Sequence, residues 1–545
     1  MRERVVNQSL GLLRLASVAL LFGACSSSED PVGPLPVTTT VSLAPSGTML
    51  VNAALAGGAL GFPAAAAASV EYLVVAQLTA LTPGTRRSYG LTGQASLVGM
   101  PLTRLARRTP TAAEQFHGML RAREGAAARQ AALHGEGLVR APAAVQPPPV
   151  VGSQRTFKVC ANIQCNTTAN VPATVQFVGQ HVAIYTDNAN PANGFTAGDL
   201  ATLGDQFDAV LYPIVTSRFG AESDIDDSDV VAVVITKAIN ALIPKPECNQ
   251  SYIAGYFFGG DLINNYPQGN NAEVFYSLAP DPAGSATMCT YPTEYVRDLL
   301  PVTFIHEFQH MVSFNQHVIL RGGFEEVLWL NEAMSHLAEE LGGLHYDSLS
   351  QTADASQFFS SNFYNAYLYL EDPASHEVIT EDPPGTLEER GGQWLLLRYL
   401  VDRFGVNLPL MLNETALTGT DNVHAATGRD VDSLLGQWLL ALYVSDLPGF
   451  TQTAELSYST WDLRATFASL HQQSPGLFPR TFPLVPEQGE ASATNITGSL
   501  GSGSGAFLLV TQPANGPAFS LAFRASGGGA QPSNLGPQLA VARVR

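Results

Sequence analysis

An α+β body with all-β regions at both ends is the fold this chain predicts, and three observations carry it. The middle holds short, wholly apolar runs, His181-Val182-Ala183-Ile184-Tyr185 and Val230-Val231-Ala232-Val233-Val234-Ile235, with the length and β-branched content of buried strands. Other segments place apolar residues at helical spacing, among them Leu330, Ala333, Met334, Leu337 and Leu341. Toward either end, Gly, Pro and Ser punctuate short apolar runs such as Tyr72-Leu73-Val74-Val75-Ala76 and Ala506-Phe507-Leu508-Leu509-Val510, which read as strands.

The elements follow in order. Arg2 and Arg4 precede an apolar run from Leu10 to Ala24, too short for a membrane span and right for a signal peptide. It ends in Leu21-Phe22-Gly23-Ala24-Cys25, which resembles the lipobox of bacterial lipoproteins. That resemblance makes residues 1–25 a signal peptide whose Cys25 becomes the lipid-attached first residue of the mature chain. It implies the bacterial cell envelope, and Ser26 after the cysteine favours the outer membrane; ordinary secretion is the alternative. Residues 26–100 read as a tether and a small β domain. Residues 101–154, rich in Ala, Arg and Pro, read as a linker or pro-segment with a helix in it, and Arg107-Arg108 as a cleavage point that frees the body from its anchor.

Residues 155–450 are the expected central body. Within it Glu273-Val274-Phe275-Tyr276 reads as an edge strand able to pair with an extended peptide. Asp224-Ile225-Asp226-Asp227-Ser228-Asp229 lacks the Gly and terminal Glu of a calcium loop and reads as a solvated acidic turn. Gln393 to Phe404 and Ser433 to Val444 read as helices of a second subdomain, and residues 451–545 as a C-terminal β domain.

Composition narrows the function. Of 545 residues, 46% are hydrophobic and only 14% charged. The first 150 carry 12 Lys/Arg against 7 Asp/Glu; the rest carry 16 against 40. So acidic a body argues against nucleic acid and against adsorption to anionic lipid, leaving the N-terminal anchor as the membrane contact. Cys160, Cys165, Cys248 and Cys289 remain once Cys25 is set aside, an even number that predicts two disulfides in an oxidising compartment. The short 160–165 spacing could close a small loop, leaving 248 with 289, but three connectivities are open.

The chemistry is concentrated in Phe304-Ile305-His306-Glu307-Phe308-Gln309-His310. Two histidines four residues apart share one face of a helix and can grip one metal ion, while the carboxylate between them sits beside a water the metal acidifies. Pro301 suits a first helical turn upstream. Zinc needs a third ligand. The metzincin pattern of Gly and His downstream fails, because Ser313 and Gln316 stand there; His317, one residue late, reads as structural. Glu332 fits better: it lies near the apolar stripe of a following helix, where a carboxylate is costly unless paired or metal-bound. His336, one turn on, either orients a ligand or is a satisfied core histidine.

HEFQHM followed by WLNEAMSHLAEE resembles the gluzincin metallopeptidases, and within them the hyicolysin-type family. The resemblance implies a zincin-like catalytic domain with a mixed sheet, the HExxH helix and a helical subdomain. It implies zinc on His306, His310 and Glu332, Glu307 as general base, and a protein or peptide substrate. One feature departs from aminopeptidase-like relatives: their oxyanion-stabilising Tyr has no counterpart in Glu388-Glu389-Arg390-Gly391-Gly392. Tyr364, Tyr367, Tyr399, His345 and Arg390 compete for that role. The sequence therefore predicts an extracytoplasmic zinc endopeptidase. The alternatives are a non-catalytic binding lipoprotein on a peptidase fold and an aminopeptidase, for which no segment that would hold a substrate amino terminus is found.

Overall fold

The computed structural model describes residues 38–55, 57–94, 110–133, 148–243, 245–248, 251–285, 289–380 and 385–545. The expected signal segment with Cys25, the tether at 26–37 and the Arg107-Arg108 pair lie outside the described residues.

Five strands open the described chain: β1 (Thr38–Thr40), β2 (Thr48–Asn52), β3 (Ala59–Phe62), β4 (Val70–Leu78) and β5 (Arg87–Gly93). A helix α1 (Ala112–Leu133) follows, then β6 (Gln154–Cys160), β7 (Thr168–Val178), β8 (Val182–Asp187), α2 (Ala197–Gln206), α3 (Tyr212–Phe219), β9 (Val231–Thr236), α4 (Lys237–Asn240), β10 (Gly255–Phe257) and β11 (Val274–Leu278). Helices then dominate: α5 (Thr293–Phe314), α6 (Leu328–Ser348), α7 (Thr352–Glu371), α8 (Leu387–Phe404), α9 (Leu408–Asn413), α10 (Gly419–Thr427), α11 (Val431–Val444) and α12 (Leu463–Gln473). The chain ends in β12 (Glu487–Glu490), β13 (Asn495–Leu500), β14 (Ala506–Gln512), β15 (Phe519–Ala525) and β16 (Pro537–Arg543).

The fold is mixed α and β. A central six-stranded sheet has the order β10-β11-β9-β8-β7-β6. Strand β9 pairs in parallel with both β8 and β11, so it is buried on both faces, and all six of its residues are buried. Helix α5 packs on β10 and β11, with Phe304 edge-on to Phe275 at 5.4 Å between ring centroids. Helices α6, α7 and α8 build outward from α5. Gly391 allows the α7–α8 approach: a Cβ there would stand 2.2 Å from the backbone of Asn365. Disulfides join Cys160 to Cys165 across the β6–β7 turn and Cys248 to Cys289 ahead of α5.

Several sequence expectations change. The two terminal β regions are not separate, because their strands interleave. One sheet runs β1-β3-β15-β5-β13 and the other β12-β14-β4-β16-β2. Leu60, Val74, Leu508, Leu521 and Val541 fill the space between them. Leu73, Val75, Ala540 and Ala542, on the opposite face, join the main core beneath α11. That two-sided burial is why β4 is apolar almost throughout. The strands after residue 452 start only at Glu487, with α12 before them.

Part of 101–154 is no loose linker either: Phe116 and Leu120 of α1 are fully buried in the main core. Helix α5 starts at Thr293, so Pro301 sits in its interior and omits one backbone hydrogen bond without ending it. The edge strand is β10, while β11 with Glu273 ahead of it lies inside the sheet. Among the described residues no helix is long and apolar enough to cross a membrane.

Deleting residues 487–545 would leave β1–β3 as the one pairing among the N-terminal strands. The truncated chain is expected to be insoluble or rapidly digested in limited proteolysis. A soluble fragment with the full-length melting temperature would refute the shared sandwich.

Candidate functional site

Helix α5 carries His306, Glu307 and His310, and every residue from Thr303 to Phe314 is buried. The apolar side is pinned by Phe304 against Phe275 and by Phe308 stacked on Tyr212 at 5.5 Å. The histidines turn toward α6. Their Nε2 atoms lie 3.1 Å apart, and the Glu332 oxygens stand 3.7 Å from His306 Nε2 and 3.8 Å from His310 Nε2. Glu332 is 1% exposed, so it is no solvated surface residue.

Each imidazole is oriented through its other nitrogen. His306 Nδ1 lies 2.6 Å from Glu339 Oε1, and His310 Nδ1 lies 2.8 Å from Asn331 Oδ1. With Nδ1 donating to those oxygens, both Nε2 lone pairs face the same point. Two Nε2 atoms at that separation suit a shared metal ion, or a hydrogen bond between the rings when one of them is protonated. The fit to zinc is close: nitrogens each about 2.0–2.1 Å from a tetrahedral ion would stand about 3.3 Å apart. Neither Glu332 oxygen receives a hydrogen bond of good geometry, and Oε2 is ion-paired with Arg390 Nη1 at 3.0 Å.

The carboxylates divide by environment. Burial works to raise Glu332, but the Arg390 guanidinium, with Nη1 at 3.0 Å, and the two histidines outweigh it and hold the carboxyl well below its usual range. Burial likewise opposes ionisation of Glu339, yet His336 and His306 bring it down to about 2. Glu307 moves the other way, pushed up chiefly by burial. Its Oε2 accepts the backbone N–H of Phe257, on edge strand β10, at 2.8 Å. Burial drives His310 well down, while Glu339 overcomes burial to raise His306.

Helix α1 lies against this group. Arg121 Nη2 donates to the Phe257 carbonyl at 2.6 Å, and Glu124 Oε1 accepts the Gly259 N–H at 2.7 Å. Phe116 packs edge-on against Tyr256 at 5.2 Å. Burial, with Arg390 nearby, lowers His117 to about 3.

The residues singled out from the sequence divide clearly. His306, His310 and Glu332 form one group whose ligand-type atoms all lie within 4.8 Å of one another; His306, His336 and Glu339 form a second that shares His306. His336 reaches Glu339 Oε2 at 3.1 Å and so acts on His306 through that carboxylate. His317 is fully buried 3.9 Å from Glu326 and belongs to neither group. Tyr367 accepts the Arg480 N–H, Tyr399 donates to the Glu455 carbonyl, Tyr364 packs on Phe478 and His345 on Tyr346. Of the five competitors for the oxyanion role, Arg390 is the one beside Glu332. Glu339 and Asn331 went unassigned from the sequence. Glu339 was within reach: Glu332, His336 and Glu339 recur at i, i+4 and i+7, one helix face. Arg121 and Glu124 carried no such signal.

No family model matches the chain. A neutral metalloprotease from Staphylococcus hyicus, ShpI, is 27% identical over 187 residues, which is 33% of this chain and 38% of that protein. The chain therefore spans well under half the length of that curated relative.

In metal-stripped protein, Arg390→Ala leaves the buried Glu332 charge without its guanidinium. Stability is expected to fall by about 3–5 kcal/mol in urea unfolding. A loss below about 1 kcal/mol would show that the pair does not compensate the charge.

Proposed function

We propose that this chain is a zinc-dependent endopeptidase of the gluzincin type, related to the hyicolysin-type family and acting outside the cytoplasm on proteins or peptides. The observation that carries the reading is the convergence of two imidazole Nε2 atoms and the Glu332 carboxylate at one buried point, with Glu307 alongside. The partial likeness to a metalloprotease and the two disulfides support it.

His306, His310 and Glu332 would hold the ion. Zinc in that position supplies an acidified water and a polarised peptide carbonyl. Glu339 and Asn331 fix the imidazole tautomers, and Arg390 keeps Glu332 ionised. Glu307 takes the proton of the attacking water and returns it to the leaving amine. Its hydrogen bond to Phe257 ties that base to β10, the edge along which an extended substrate would add its backbone.

Metal analysis and peptide-library digestion test the assignment. Glu307→Ala is expected to retain zinc and lose about 10²–10⁴-fold in kcat; His310→Ala is expected to lose the metal as well. Unchanged activity in Glu307→Ala would sink the mechanism. No activity in either form would favour a binding protein on a peptidase fold.

In this reading α1 belongs to a pro-segment. Its Arg121 and Glu124 engage the Phe257 carbonyl and Gly259 N–H, backbone groups of the kind a substrate strand would use. Cleavage at Arg107-Arg108 alone would leave α1 docked. The double variant Arg121→Ala, Glu124→Ala is expected to cleave peptides several-fold faster than the uncut wild type, and the N-terminus of fully active protein should lie beyond Leu133. Equal rates in the two uncut forms would remove the pro-segment role from α1.

A further inference from the structure

The acidic turn between α3 and β9 is solvated only in part: Asp227 and Asp229 are exposed, but Asp226 is buried. Asp226 is 2% exposed, and so is Glu273, which precedes β11 some distance along the chain. Asp224, Asp226 and Glu273 each place a carboxylate oxygen within 4.8 Å of the others. The turn lacks a closing Glu of its own, and the sheet brings one from another strand.

Half of each carboxylate is spoken for. Asp224 Oδ1 accepts the Ser228 and Asp229 N–H groups at 3.0 and 3.4 Å. Asp226 Oδ2 meets Arg155 Nη1 at 2.9 Å. Glu273 Oε1 accepts from Ser223 Oγ and, at 2.8 Å, from the Ile225 N–H. The remaining oxygens of the two buried residues, Asp226 Oδ1 and Glu273 Oε2, have no hydrogen-bond partner. Three carboxylates thus share one guanidinium, and two fully buried oxygens are left without a partner. An uncompensated buried charge of this kind is costly.

We propose that Asp224, Asp226 and Glu273 bind a calcium ion that ties the 224–229 turn to the head of β11. The donors are all hard oxygens with no nitrogen or sulfur, which selects against zinc. Calcium takes such oxygens at about 2.3–2.6 Å in a flexible geometry, whereas magnesium demands a near-ideal octahedron at about 2.0–2.1 Å and keeps several of its waters. The part-exposed Asp224 provides the way in. Because β9 and β11 follow the two tethered segments and β11 pairs with β10, the ion would brace the strand that carries Phe257. The site is separate from the histidine centre and independent of whether that centre is catalytic.

The test uses the full chain carrying Glu307→Ala, so that self-digestion does not enter. After treatment with a calcium chelator, millimolar calcium is expected to raise Tm by about 5 °C, magnesium much less. Calorimetric titration with calcium chloride should show one site that Asp226→Asn weakens at least about tenfold, a loss of about 1.4 kcal/mol. Glu273→Gln, which replaces a buried acid with a neutral isostere and is expected to fold, should abolish the calcium shift in Tm. A wild-type Tm that calcium does not move overturns the proposal. So does a shift retained in Glu273→Gln, or one that magnesium matches.

Discussion

Two imidazole Nε2 atoms 3.1 Å apart, with a buried carboxylate beside them, are the constraint on which the rest of the molecule depends. Left alone, such a cluster would swing its rings apart or admit water. It persists because every opposite edge is held: Glu339 on His306, Asn331 on His310, Arg390 on Glu332. Those three holders lie on α6 and α8, so the positions of two helices relative to α5 must be kept within a fraction of an ångström. The dense packing of α5 through α8 serves that need. Gly391, at the closest approach of α7 and α8, sits next to the arginine that neutralises Glu332.

The molecule's two ends work toward the same end. Joining β1–β5 with β12–β16 in one sandwich closes the chain around its helical body, and the outer face of one sheet supports α11. Pairing between distant segments is slow to form because loop-closure entropy is lost before the contacts compensate it. Once formed, it ties the first and last described strands to one another. Helix α1 reaches the edge of the central sheet, where Arg121 and Glu124 hold the Phe257 carbonyl and the Gly259 N–H.

Charge behaves differently at the two acidic clusters. Around Glu332 and Glu339, Arg390 and the histidines outweigh desolvation and keep both carboxylates ionised. Around Asp226 and Glu273, one guanidinium serves three carboxylates and desolvation wins at Glu273. The same physical terms therefore separate carboxylates held ionised by neighbouring cations from one that burial pushes toward its neutral form.

The HExxH spacing and the amphipathic stripe through Leu330 to Leu341 were enough to single out His306, Glu307, His310 and Glu332, because those signals are local: helix periodicity alone determines which residues share a face. The buried strands at 182–187 and 231–236 were readable for the same reason. What could not be read depended on contacts between distant segments. No spacing rule announces that Val74 will lie between Leu508 and Val541, that Arg121 will reach the Phe257 carbonyl, or that Glu273 will complete the 224–229 turn. Sequence by itself determined the chemistry available and the faces that carry it. Tertiary structure alone decided which carboxylates became buried, which cation each one met, and which strand stood at the edge, since those follow from the packing of elements far apart in the chain.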